Sequence, residues 1–141
     1  MLHTWFLVAD SSRAKLYEVE KRTAPFVEIE DFDHPEGRLH EGDLVSDGPG
    51  SDGGSIGQGR RRFDDQVSAR KQVGIRFASS LAERLDAARN AGELERLVLV
   101  APPAFLGLLR DKLSKEVMAR VSRQIDKNLV QQSPEVLREY L

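Results

Sequence analysis

The segment GSDGGSIGQGRRRF, residues 50–63, combines five glycines, one glutamine and three consecutive arginines. Gly57 and Gly59 flank Gln58, and glycine lets a backbone adopt positive φ and approach another backbone closely. The amide of Gln58 offers one acceptor and two donors without charge, which suits holding a water or an oxyanion near an ester carbonyl. The arginines at 60–62 can bind phosphates. The pattern therefore indicates a segment that enters a polyanion and presents an amide.

Positive charge is concentrated directly after this glutamine. Up to Gln58 the chain has 12 acidic and 5 basic residues, whereas Gly59 to Arg76 has six basic and two acidic residues. The planar guanidinium of arginine suits phosphate recognition better than the lysine ammonium does. We therefore predict five RNA-binding residues: Arg60, Arg61, Arg62, Arg70 and Lys71.

Carboxylates and imidazoles, the side chains that bind metal ions, occur at two other places in the sequence. Asp33, His34, His40 and Asp43 match no compact ligand spacing, so a solvated acidic loop is the favoured interpretation and no metal is expected. Asp10 ends the first predicted strand, where carboxylates of metal-dependent nucleases occur, but such sites need several clustered carboxylates. An Asx-type turn is favoured for Asp10. The glycines lie in a long loop rather than directly between a strand and a helix, as a dinucleotide fingerprint requires, and no cofactor is expected.

The bulk composition is that of one cytoplasmic globular domain. The chain has 141 residues, which is enough for a single core, and no cysteine, which excludes disulfides and thiolate chemistry. Hydrophobic residues make up 40% and charged residues 31%. No apolar run approaches the roughly 18 residues that a membrane span needs, so no membrane association is expected.

The hydrophobic pattern predicts an α/β fold with a mixed sheet and helices packed on it, in the order β-β-β-loop-α-β-α-β-α. Strands are predicted at residues 4–9, 14–19, 26–32, 96–101 and 118–125. Helices are predicted at 63–91, at a segment opened by Pro102 and Pro103, and from Pro134. Gly92 is expected to end the long helix. Residues 33–62 have little to bury, and we predict a long mobile loop there within one domain spanning 1–141.

The chain resembles a known bacterial family over essentially its whole length. The residues that carry the resemblance are VADSSRAKLYEV, RFASSLAERLDAARNAGELERLVLVAPPAFLGLLRDKL and VSRQIDKNLVQQSPEVLREYL. They are similar to the family described as "protein required for attachment to host cells". That family is regarded as related to the middle domain of archaeal and eukaryotic peptide-chain release factors. The resemblance implies the fold of that domain.

The release factors carry a Gly-Gly-Gln loop tip just before a long basic helix, and the tip promotes hydrolysis of peptidyl-tRNA on the ribosome. Gln58 matches the glutamine and Gly57 the glycine before it, while Ile56 replaces the first glycine. The resemblance implies catalytic roles for Gln58, Gly57 and Gly59, with arginines 60–62 on RNA. It also implies a ribosome or tRNA partner and no DNA partner.

Three functions remain open at this point. The first is a ribosome- or tRNA-associated factor for translation rescue or peptidyl-tRNA release, which would promote ester hydrolysis. The second is an RNA- or ribosome-binding module without turnover. The third is a protein-interaction module that affects adhesion to host cells. The sequence does not predict the oligomeric state.

Overall fold

The fold is built on a five-stranded sheet, which a computed structural model describes for residues 3–34 and 56–141, with backbone alone for residues 56–68. The strands are β1 (Thr4–Ala9), β2 (Arg13–Val19), β3 (Val27–Asp33), β4 (Arg96–Val100) and β5 (Val121–Ile125). Their order across the sheet is β3-β2-β1-β4-β5. The pairs β1–β2 and β2–β3 are antiparallel, whereas β1–β4 and β4–β5 are parallel. The predicted α/β fold with a mixed sheet is therefore confirmed.

The central strands are apolar because both of their faces are covered. All six residues of β1 are buried, and only Arg96 of β4 is exposed. Parallel strands covered on both sides read as continuous hydrophobic runs, which is why these two strands could be placed from the sequence. The edge strand β3 is half exposed, as its alternation predicts.

Within residues 3–34 and 56–141, four helical segments follow or cover the sheet: α1 (Ile56–Asn90), α2 (Pro103–Lys112), α3 (Lys115–Met118) and a 3-10 helix (Pro134–Tyr140). Ser133 caps the 3-10 helix, where an ordinary final helix was predicted, and its Oγ accepts a hydrogen bond from the backbone N–H of Glu135 at 3.3 Å. The predicted strand start at residue 118 is wrong by three residues. The preceding residues form α3, whose cap Ser114 accepts from the backbone N–H of Val117 at 3.2 Å.

Helix α1 begins seven residues before the predicted start at Phe63. Its backbone is helical from Ile56, so Gly57 and Gly59 lie in the helix rather than in a loop. A helical glycine costs about 1 kcal/mol relative to alanine, which weakens a helix without ending it. Glutamine and arginine are among the better helix formers, so residues 58–62 favour continuation. The part of the predicted mobile loop at 35–55 lies outside the described residues.

The sheet separates two hydrophobic clusters. On one face, Trp5 and Leu7 of β1 pack beneath α1, α2 and α3 with Leu81, Leu85 and other buried residues. On the other face, Phe6 and Val8 pack against the chain after β5, including Val130 and Leu137. The helices thus lie on one side, and the 3-10 helix with its preceding segment covers part of the other.

Helix α1 is longer than the sheet on which it packs. Its 35 residues span about 52 Å, whereas strands of five to seven residues span about 17–23 Å. Within residues 69–90, where side chains are described, burial begins at Val73 and continues to Ala88. The helix backbone therefore continues about 26 Å beyond Val73 toward its N terminus.

Candidate anion-binding site

The carboxyl ends of the parallel strands meet at one edge of the sheet. β1 is followed by Asp10, β4 by Ala101 and Pro102, and β5 by Asp126. β1 connects to β2 on one side, while its other neighbour, β4, connects onward to β5. In open α/β sheets, ligands bind outside the carboxyl ends of the strands at the point where the strand order reverses. The edge beside β1 and β4 is that point in this fold.

A cavity of about 660 Å³ occupies this edge. Its polar lining comes from the turn after β1, the helix α1 and the segment after β5, and consists of Asp10, Ser11, Ser12, Arg70, Lys71, Asn128 and Gln131. Its apolar lining comes from α1 and from the start of α2, and consists of Gly74, Pro102, Ala104, Phe105 and Leu108. The volume lies within the range of about 300–1,000 Å³ typical of small-molecule sites.

The turn that forms one wall of the cavity is held by Asp10. Its Oδ1 accepts hydrogen bonds from the backbone N–H groups of Ser12 and Arg13, both at 2.9 Å, and from the hydroxyl of Ser12 at 3.2 Å. The predicted Asx-type turn is thus confirmed. These three bonds end on Oδ1, so the turn does not use the second carboxylate oxygen, Oδ2.

The cavity carries two cations on α1. Arg70 and Lys71 are exposed, and no ion pair links either of them to another residue of the described chain. One turn further along, Gly74 allows α1 to approach α2 closely, because a Cβ at this position would lie 3.0 Å from Cδ1 of Leu108. Two cations against one carboxylate among the described lining residues give this edge a positive balance that favours anions.

The N terminus of α2 adds partial positive charge to the same edge. Pro102 is the N-cap residue, no side chain caps the helix, and Pro103 occupies the first turn. The free N–H groups and the helix dipole at such an end attract negative charge. Arg70, Lys71 and this helix end together favour a ligand with a phosphate or carboxylate.

The apolar wall of the cavity is backed by stacked rings. Phe105 lies 5.8 Å from Phe77 between ring centroids, and the ring of His34 stacks on Phe77 at 4.7 Å with an interplanar angle of 6°. Phe105 is itself buried. The cavity therefore offers an apolar surface, supported by packed rings, beside its charged residues.

Comparison with known proteins identifies the family. The model of the family described as "Protein required for attachment to host cells" matches residues 5–141. The chain belongs to this host-attachment family. The match includes every element that lines the cavity, and it confirms the host-attachment resemblance of the sequence. The relation to the release-factor middle domain stays a prediction. No curated protein matches the chain in sequence.

The predicted site residues of this host-attachment protein fall into two groups. Arg70 and Lys71 stand at the cavity. Gly57, Gln58, Gly59 and arginines 60–62 lie in the first two turns of α1, and their side chains are outside the described part of the protein. The structure therefore joins both groups through one continuous helix, while the catalytic roles of 57–59 stay a prediction.

Of the four residues Asp33, His34, His40 and Asp43, for which no metal was expected, the structure describes Asp33 and His34. The imidazole of His34 packs on the ring of Phe77, and His40 and Asp43 lie outside the described residues. Among residues 3–34 and 69–141, no three His, Cys, Asp or Glu side chains come close enough together to hold a metal ion. No helix within the described ranges is both long and apolar enough to span a bilayer.

The sequence does not mark the polar residues that line the cavity at the ends of the strands. Ser11, Asn128 and Gln131 line the cavity, yet none belongs to a recognisable motif. Their common signal is position, because each follows a strand whose carboxyl end lies at the same edge. That signal requires the order of the strands, which the sequence did not provide.

Proposed function

We propose that this host-attachment protein is an RNA-binding factor that associates with ribosomes or tRNA, as the middle domain of release factors does. The observation that carries the proposal is the continuity of α1. One helix backbone carries arginines 60–62 in its second turn and leads without a break to Arg70 and Lys71 at the cavity. The backbone of this one helix thus carries the five cationic residues within about 16 Å along its axis.

The position of the glycines in the helix supports phosphate contact. The N–H groups of the first three helical residues have no partner within an α-helix, and here they belong to residues 56–58. Gly57 and Gly59 lack side chains, so a phosphate can approach the backbone closely at this end. The sequence adds three arginines in the following turn, and their positive charge favours the same anion.

The finer proposal is that Gln58 acts in hydrolysis of peptidyl-tRNA on the ribosome. Its amide would hold the attacking water, and arginines 60–62 would hold RNA phosphates. The test is peptide release from stalled ribosome complexes, in which Gln58→Ala must lose release while ribosome binding persists. Equal release by the wild type and Gln58→Ala would reject the catalytic role and leave the binding role.

The RNA-binding role is tested by salt dependence. Each phosphate that the protein neutralises on a single strand contributes about −0.7 to the slope of log K against log salt concentration. Replacing arginines 60–62 with alanine is expected to reduce the slope by about 2, and Arg70→Ala with Lys71→Ala by about 1.4. Binding is measured by fluorescence anisotropy on a single-stranded RNA, and ribosome association by sedimentation at low and high salt.

The matched control removes two exposed cations that belong to elements other than α1, by Lys115→Ala and Arg123→Ala. Lys115 opens α3 and Arg123 lies on the edge strand β5, and both are exposed. The control is expected to bind RNA with the slope of the wild type. RNA binding that ignores salt and all five residues of α1 would reject the proposal.

The description of the family favours a second candidate, a protein-interaction module for attachment to host cells. This function requires a protein partner that remains bound after nuclease treatment. Pull-down of the tagged chain from nuclease-treated extracts tests it. Recovery of a defined protein supports this candidate, whereas recovery of RNA and ribosomal proteins alone, and only without nuclease, rejects it.

A further inference from the structure

We infer that the cavity at the carboxyl edge binds a single nucleoside phosphate, with the phosphate at Arg70 and Lys71 and the base against Phe105 and Leu108. Nothing in the family description assigns this site. The ligand chemistry has two sources, a free mononucleotide or the terminal nucleotide of an RNA strand. The second source rests on the proposed function, and the first does not.

Each element that lines the cavity supplies a different kind of side chain. Helix α1 supplies Arg70 and Lys71, and α2 supplies the apolar surface of Phe105 and Leu108. The segment after β5 supplies the amides of Asn128 and Gln131. Amide side chains can both donate to and accept from the polar edge of a base. The three surfaces thus match the phosphate, the apolar face of the base and the polar edge of the base.

Asp10 accounts for the remaining part, the sugar. Its turn uses Oδ1, and Oδ2 is available to accept a hydrogen bond from a ribose hydroxyl. A carboxylate in this place disfavours a second phosphate close to it, because like charges repel. Asp10 therefore favours a monophosphate, held toward Arg70 and Lys71, over a polyphosphate.

Simpler ligands leave part of the lining unused. Inorganic phosphate requires the two cations and no apolar wall, and an apolar ligand requires no cations. The cavity of about 660 Å³ also exceeds what a single phosphate fills. A ligand with an apolar ring, hydroxyl groups and one phosphate uses the charged, apolar and amide surfaces together.

The test is calorimetric titration of the full chain with AMP, GMP, CMP, UMP, the matching nucleosides and inorganic phosphate. At least one monophosphate is expected to bind ten-fold or more tightly than its nucleoside and than inorganic phosphate. Arg70→Ala with Lys71→Ala is expected to reduce its affinity to that of the nucleoside. If no monophosphate binds more tightly than inorganic phosphate, the inference is overturned.

Two variants at Ala104 block the cavity in different ways. Ala104 is exposed in the first turn of α2 and lines the cavity, where Ala104→Trp fills space and Ala104→Glu adds a negative charge that disfavours an anionic ligand. A carboxylate at a helix N terminus also favours the helix, so Ala104→Glu is expected to keep the fold. Each is expected to weaken monophosphate binding ten-fold or more. Ala87→Trp and Ala87→Glu, at an exposed alanine of α1, are the matched controls and are expected to bind as the wild type does.

Three ligands separate the two sources of the nucleotide. They are a single-stranded RNA with a free 3′ end, a circular single-stranded RNA and a free monophosphate. If Ala104→Trp weakens binding of the first RNA but not of the circular one, the terminal nucleotide occupies the cavity. If it weakens only the free monophosphate, the ligand is a mononucleotide. Monophosphate binding without RNA binding rejects the proposed function alone. RNA binding without any effect of Ala104→Trp and Ala104→Glu on either ligand rejects this inference alone.

Discussion

Tyr17 shows at the scale of one residue how burial controls the charge state of a side chain. Its ring is buried on the face of the sheet opposite to α1 and lies 6.4 Å from the ring of Phe26, edge to face. Burial raises the pKa of the Tyr17 phenol above its ordinary value of 10.0, and the carboxylates of Glu28 and Asp31 raise it further. The folded protein therefore holds this phenol neutral.

This pKa shift predicts a loss of stability in alkaline solution. Because the folded pKa of Tyr17 lies above the unfolded one, its contribution is fully present below about pH 10 and is lost as the pH rises through the folded pKa. The free energy of unfolding, measured with urea between pH 8 and pH 11, is expected to fall less for Tyr17→Phe than for the wild type. Equal decreases in the two proteins would show that the phenol is not held neutral.

Individual residues differ in how far their roles could be predicted. Asp10 could be assigned to a turn because its hydrogen bonds go to residues two and three positions later, which is local information. Arg70 and Lys71 could be predicted as phosphate ligands from charge alone. Asn128 and Gln131 could not, since their role depends on the meeting of β5 with β1 and β4 at one edge.

At the scale of an element, the end of α1 is fixed by hydrogen bonds around Gly92. The backbone N–H of Gly92 donates to the carbonyl of Arg89 at 3.0 Å, and that of Glu93 donates to the carbonyl of Ala88 at 2.9 Å. This pair of bonds is the Schellman motif, which needs a left-handed residue at Gly92. Its φ of +76° meets that need.

Replacement by alanine is expected to change stability in opposite directions at Gly92, just after the end of α1, and at Gly107, inside α2. Gly92→Ala creates no contact within 4 Å but forces alanine into positive φ, so we expect a loss of about 1 kcal/mol of unfolding free energy. Gly107→Ala, inside α2, also meets no atom within 4 Å and removes a flexible residue from a helix, so a gain of about 0.5–1 kcal/mol is expected.

Urea denaturation of both variants provides the measurement, and Gly92→Asn is the control for Gly92. Asparagine tolerates the left-handed conformation better than alanine does, so its loss is expected to be smaller. A Gly92→Ala protein as stable as the wild type would show that this end of α1 does not need the motif.

The two ends of α1 differ in predictability for the same physical reason. At the C-terminal end, Gly92 adopts a conformation that few other residues tolerate, so the sequence marks it clearly. At the N-terminal end, Gly57 and Gly59 have ordinary helical backbone, and glycine there only weakens a helix. A glycine predicts a helix end reliably where positive φ is required and poorly where it is not.

At the scale of the whole molecule, one sheet connects two separate hydrophobic clusters. Strand β1 contributes Trp5 and Leu7 to the cluster under the helices and Phe6 and Val8 to the other. The fold class could be predicted from the apolar runs of β1 and β4. The order of the strands could not, because it depends on pairing between segments such as β1 and β4 that lie about 90 residues apart in the chain.

The second cluster depends on the chain after β5. Leu137 is almost fully buried there, with 1% of its surface exposed. Arg138 binds the loop before β3 by donating hydrogen bonds to the carbonyls of Arg22 and Ala24, and its guanidinium lies 5.1 Å from the ring centroid of Phe26. The 3-10 helix therefore links the segment after β5 to the loop between β2 and β3.

If the protein unfolds as one cooperative unit, a substitution that removes packing on this face must destabilise the other face equally. Leu137→Ala is expected to cost about 2–5 kcal/mol of unfolding free energy, while Val136→Ala, at a side chain that is 38% exposed, is expected to change it by no more than about 0.5 kcal/mol. Trp5, the one tryptophan of the chain, reports by fluorescence on the cluster under the helices, and far-ultraviolet circular dichroism reports on the whole backbone. Both signals are expected to change in one coincident transition that Leu137→Ala shifts to lower urea concentration. The contrary result in Leu137→Ala is a Trp5 fluorescence transition that keeps its wild-type urea midpoint while the circular dichroism transition shifts. That result would mean that the two faces unfold independently, because loss of packing on one face would not destabilise the other.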